Sequence, residues 1–174
     1  ITGEKVQVIR ENGKCYANVN LTVKEVTYQV YYKLSDSTVL KGEVKAAAVN
    51  PTITVDDLYQ SEKDQLAKMF YETAGGVQLS NNTVIVPVQK IMGEVSVEYW
   101  QKSALFPENP SYDSMVDNGC YNKKISVWKG QNTISKNELP NFTQACSMGY
   151  NPNKTDNTFE IDWTNPVVKV YLSY

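Results

Sequence analysis

The residue types that usually carry chemistry are sparse in this chain, and their spacing narrows the options further. There is no histidine, so nucleophilic catalysis through a Ser–His or Cys–His pair is excluded. Ser126 and Lys129 stand at the Ser-x-x-Lys spacing of serine–lysine acyl enzymes. That chemistry places the pair on one helical face and needs companion motifs that are absent. The surrounding residues alternate as a strand, in which positions 126 and 129 point to opposite sides.

Paired carboxylates are the other catalytic route. Glu160 and Asp162 alternate with Phe159, Ile161 and Trp163, which predicts both acids on the outward face of one strand. A carboxylate-based hydrolase would need two acids flanking a cleft, one of them raised in pKa by burial. The polar side of an amphipathic strand explains the same residues more simply. Asp56 and Asp57 read as first-turn acids that complement a helix dipole. An oxygen-rich run from Asn151 to Asp162 offers weak calcium candidates in Asp156, Glu160 and Asp162, without the EF-hand pattern. No metal or cofactor is expected.

Three cysteines, Cys15, Cys120 and Cys146, match no zinc-site spacing. A Cys120–Cys146 bridge is the favoured pairing, since both lie in turn-rich sequence that a cross-link would pin. Cys15 falls on an apolar strand face, where a buried free thiol is expected; three reduced cysteines in an intracellular protein are the alternative. Four N-glycosylation sequons begin at Asn20, Asn81, Asn141 and Asn153. They favour an extracellular or particle-surface location. Among the aromatics, Tyr28 and Tyr32 share a face with Val26 and Val30 and read as core. Tyr31 and Trp128 point away from their strands' aliphatic residues and are the interface candidates.

Bulk composition sets the limits on partners. A net charge of −2 without a run of either sign disfavours nucleic acid, which needs clustered cations. No stretch approaches the roughly 20 apolar residues of a membrane helix. The chain length of 174 residues suits one domain spanning 1–174 with a core of its own.

The elements that would hold these residues are mostly strands. Segments 4–10 and 14–23 flank Asn12-Gly13, a hairpin signal, and the second places Cys15, Ala17 and Val19 on one face. Strands follow at 25–33, 38–48, 82–89, 93–100, 124–129, 158–163 and 166–173. Pro87 should confine its strand to an edge or a bulge. A helix is expected within 55–73, with Thr54-x-x-Asp57 as a start signal and Gly75-Gly76 as a stop. About nine alternating strands with one inserted helix predict an all-β or β-rich α+β domain, a two-layer antiparallel sandwich or flattened barrel.

Function is then expected to be non-enzymatic: an extracellular or surface binding and assembly module of fibre, pilus, coat or adhesin type. Assembly would proceed by strand addition through the terminal strands to a protein partner or a second copy. The alternative is a carbohydrate or small-ligand site built by the loops 101–123 and 130–157; the carboxylate hydrolase comes behind both.

Overall fold

In the computed structural model, residues 8–17, 22–101, 114–147 and 156–172 are described. In chain order the elements are β1 (Val8–Glu11), β2 (Lys14–Ala17), β3 (Glu25–Leu34), β4 (Ser37–Ala47), α1 (Gln60–Lys68), β5 (Tyr71–Thr73), β6 (Gln78–Ser80) and β7 (Thr83–Lys90). There follow β8 (Met92–Gln101), β9 (Ser114–Met115), β10 (Lys123–Trp128), β11 (Thr133–Ser135), α2 (Phe142–Cys146), β12 (Thr158–Glu160) and β13 (Val167–Leu172). The strand-rich fold expected from the alternation is what the chain adopts.

The chain divides into two compact units, Ile1–Lys63 with Thr73–Val88, and Asp64–Glu72 with Gln89–Tyr174. In the first, β4, β3 and β7 lie side by side in that order, with β6 also paired to β7. The even residues Tyr28, Val30, Tyr32, Val44, Val84, Val86 and Val88 are buried, as the period-2 pattern requires. The β3–β4 ladder is antiparallel with a register shift at Tyr32/Lys33, whereas β3 and β7 run parallel. Pro87 therefore belongs to an interior strand, a correction to the edge expected of it. It sits on the last rung of the β3 ladder, opposite Lys33, and its carbonyl accepts from Ala74 N. The N–H and C=O of a strand residue point to the same side, so the missing N–H faces Ala74 and the β3 ladder loses no donor there.

In the second unit β8 is central, with β10 antiparallel on one side and β13 parallel on the other. Val95, Val97 and Tyr99 of β8 meet Val168, Val170 and Leu172 of β13 in one core, with Val127, Ile134, Phe159 and Ile161. The two parallel ladders refine the antiparallel layering expected from sequence.

The helix within 55–73 is shorter than its pattern. Residues Val55–Asp57 form a 3-10 turn with a Thr54–Asp57 capping box, and α1 ends at Lys68. Phe70 takes a left-handed φ of 58° and Tyr71 begins a strand, so the stop precedes Gly75-Gly76. A second, short helix, α2, lies in a stretch expected to be loop and buries Ala145 and Cys146.

Candidate functional site

β1 and β2 form a two-stranded sheet of their own, closed by Asn12 and Gly13 at φ 52° and 74°. Those angles are what a two-residue primed turn needs. All eight strand residues are exposed, including Val8 at 62%, Ile9 at 48% and Tyr16 at 51%. Cys15 is exposed too, which corrects the buried thiol expected there. Ile9 and Tyr16 share one face of the hairpin and Val8 lies on the other, and no described residue covers either. An isolated two-stranded hairpin is marginal in water, so three exposed apolar side chains on one mark a surface in want of a partner.

The second feature is a cavity of about 270 Å³ in the second unit, lined by Lys90, Met92, Ile125, Ser126, Val127, Trp128, Gln131, Ile134 and Glu138. Trp128 is half-buried on its wall, and its position has a traceable cause. The left-handed turn at Phe70 aims that carbonyl at two donors, Ile91 N at 2.9 Å and Trp128 Nε1 at 3.0 Å. Tyr71 then lies 5.4 Å from Trp128, ring to ring, and the Lys90 ammonium sits 4.7 Å over the indole. Gly130 passes against the ring where a Cβ would not fit. Trp128 is thus a packed wall of the cavity more than a bare platform.

Opposite it, Gln131 and Glu138 are committed to the backbone of β11. Gln131 Nε2 donates to Thr133 O at 2.6 Å, and Glu138 Oε2 accepts from Ser135 N at 2.9 Å. The Ser135 bonds hold the Glu138 carboxyl below its ordinary range. Of the two loops expected to build a site, the described part of 130–157 supplies Gln131, Ile134 and Glu138. The described part of 101–123 supplies packing instead, burying Val116 and offering Asn122 Oδ1 to Tyr99 N at 3.1 Å.

The remaining sequence candidates scatter. Tyr31 is half-buried, with the Lys41 ammonium 5.6 Å over its ring across the β3–β4 rung. Ser126 lies within β10 and Lys129 one residue past its end, both exposed. Glu160 ends β12 and Asp162 lies two residues past it, so the strand is shorter than expected, but both acids are exposed while Phe159 and Ile161 are buried, as the alternation requires. Asp162 Oδ1 accepts from Thr164 N at 2.9 Å and Thr164 Oγ1 at 2.7 Å, which lowers its pKa. Among the described residues no three of His, Cys, Asp and Glu come together to hold a metal, Asp156, Glu160 and Asp162 included. Cys120 and Cys146 are both free thiols, the first exposed and the second buried at the end of α2. The expected bridge is not formed, because α2 turns Cys146 into the core, where burial raises its pKa.

Of the sequons, Asn81 stands exposed at the left-handed turn between β6 and β7. Asn141 is half-buried and also left-handed, and its Nδ2 donates to Tyr121 O at 3.0 Å. Asn20 and Asn153 lie outside the described residues.

Sequence reasoning missed one buried polar pair. Glu62 of α1 is 7% exposed, accepting from the Tyr32 hydroxyl at 2.6 Å and from Glu43 N at 2.9 Å. Both partners come from the sheet of the first unit, so the pair anchors the start of α1. Its only sequence signal is Gly42, which leaves room for the carboxylate. No protein family model and no curated protein matches the chain.

Proposed function

We propose that the chain is a non-enzymatic, extracellular or particle-surface assembly module whose copies join by strand addition through the N-terminal hairpin. One observation carries this reading: β1 and β2 present strand edges and the apolar side chains Val8, Ile9 and Tyr16 to solvent. Burying such residues is favourable by about 1.5–3 kcal/mol per large side chain, and an added strand also satisfies the sheet edge. The C-terminal strand is already in use. β13 pairs with β8 from Val167 to Leu172, which leaves the hairpin as the donor. The exposed Asn81 sequon supports a surface location. Among the described residues no helix is long and apolar enough to cross a membrane.

Static light scattering over a concentration series of the full chain tests the reading. The wild-type molar mass rises with concentration, and that of the Ile9→Lys variant does not. If both give the same concentration-independent monomer mass, the reading fails.

A second reading, a carbohydrate or small-ligand site, is favoured by the cavity, whose wall combines the Trp128 indole with Lys90, Ser126 and Gln131. Thermal-shift screening and glycan arrays test it, with Trp128→Ala abolishing any hit.

A further inference from the structure

The hairpin supplies a donor, and the second unit holds an edge that matches it. β10 ends its sheet, with β8 on one side and no described strand on the other. Lys129 N donates to Ile91 O, which fixes the phase of the antiparallel ladder. Residues 123, 125, 127 and 129 turn their backbone groups toward β8, and 124, 126 and 128 turn theirs outward. The Trp128 carbonyl is taken by Gln131 N at 2.9 Å. The outward N–H and C=O of Lys124 and Ser126 have no partner among the described residues.

The cavity runs along this same edge. Its β11 side is partly blocked to backbone pairing, since Gln131 takes the outward C=O of Thr133 and Glu138 the outward N–H of Ser135. Its β10 side is open among the described residues. A sugar or small molecule cannot continue a ladder, whereas an extended backbone satisfies Ser126 and Lys124 while lodging alternate side chains beside Met92, Ile125 and Ile134. The exposed lysines Lys123, Lys124 and Lys129 around this edge discourage indiscriminate pairing, so the occupant must bring apolar side chains to be seated.

The β1 strand has those properties. Its two-residue turn makes Glu11–Lys14 the hydrogen-bonded closing pair, so the backbone groups of Val8 and Arg10 point outward. Ile9 is exposed with Tyr16 across from it, and Glu11 brings a carboxylate to a lysine-flanked edge. Resting on the assembly reading above, we infer that the outer edge of β10, with its adjoining cavity, is the acceptor for β1 of a second copy of this chain. Donor and acceptor are different surfaces, so the contact is head-to-tail and generates chains or rings.

Two variants separate the halves of the contact. Ile9→Lys disables the donor. Ser126→Pro disables the acceptor, because the N–H it removes points away from β8, and edge positions tolerate proline. Lys124→Pro is the second acceptor variant, should Ser126→Pro lose its native circular dichroism. By analytical ultracentrifugation, wild type forms species beyond the dimer. Each variant alone sediments as a monomer, and an equimolar mixture of the two gives a species of twice the monomer mass and nothing larger. If folded acceptor variants assemble like wild type while Ile9→Lys is monomeric, the β10 assignment is overturned and the hairpin reading survives. A wild type that stays monomeric throughout overturns both.

Discussion

The Tyr32 hydroxyl donates to Glu62 Oε2 at 2.6 Å inside the first unit, and the second carboxylate oxygen of Glu62 accepts from Glu43 N. Burial first, and then the adjacent carboxylate, push the Tyr32 pKa upward, so the phenol stays protonated and remains the donor. A buried polar group costs little when paired and a good deal when orphaned. Glu62→Ala strands two donors and leaves a void, and a loss of about 2–4 kcal/mol in urea unfolding is expected. Tyr32→Phe removes one donor and is expected to cost about 1–3 kcal/mol.

Gly42 couples to that pair. A Cβ on Gly42 would run into the Glu62 carboxyl group, so Gly42→Ala should destabilise by about 1–3 kcal/mol through overpacking. In the Glu62→Ala background the obstruction is gone, and the same substitution should cost less. A double-mutant cycle by chemical denaturation measures the difference. Additive losses would place the cost in the backbone and not in the contact.

The β strands are legible in the sequence wherever a covered face makes alternation meaningful. Val30 and Tyr32, Val84 and Val86, Val95 and Val97, and Val168 and Val170 are all buried as their parity requires. Alternation in β1 and β2 looks the same and ends exposed, because periodicity reports an amphipathic face and not what covers it. Parallel pairing of β3 with β7 and β8 with β13 is set by contacts distant in sequence, to which a local pattern is blind. Helix α2 is hidden because five residues carry too little periodicity, and it is the burial of Ala145 and Cys146 that marks it. At the cavity, Trp128 is legible as an aromatic out of phase with its strand. The Phe70 carbonyl that orients it is not, since nothing in the sequence announces a left-handed aromatic residue.

Acidification should weaken the fold through its caps. The carboxyls of Asp57, Glu138 and Asp162 are all held below their ordinary values, by bonds from Thr54, Ser135 and Thr164 respectively. A lowered folded-state pKa means stabilisation that is present above the unfolded-state value and lost as pH falls through the folded one. Thermal midpoints should therefore hold from pH 7 to about 5 and decline below about 4, the ordinary carboxylate range. Glu138→Gln should lower the midpoint at pH 7 and make the acid decline shallower.

The two described sequons should behave differently in a glycosylating secretory host. Asn81 is open at a turn, while the Asn141 amide is engaged with the Tyr121 carbonyl. Intact mass spectrometry should show a glycan lost in Asn81→Gln and unaffected by Asn141→Gln. The latter should instead lose about 1 kcal/mol of stability, for a hydrogen bond and a left-handed position that suits Asn.

Gly13 should matter to assembly through the hairpin turn alone. Its φ of 74° suits glycine, and Gly13→Val, a β-branched residue in the left-handed region, should unfix the turn at a cost of about 1–3 kcal/mol. Light scattering should then show a weaker rise of mass with concentration, while the circular dichroism of the remaining sheets is kept.

The central claim is that β1 and β2 find their partner in another copy, and hydrogen exchange at the hairpin reads this most directly. With assembly, protection of the outward amides of Val8 and Arg10 rises steeply as protein concentration is raised, and Ile9→Lys abolishes the rise. Fast exchange at these amides, unchanged from dilute to concentrated solution, would contradict it.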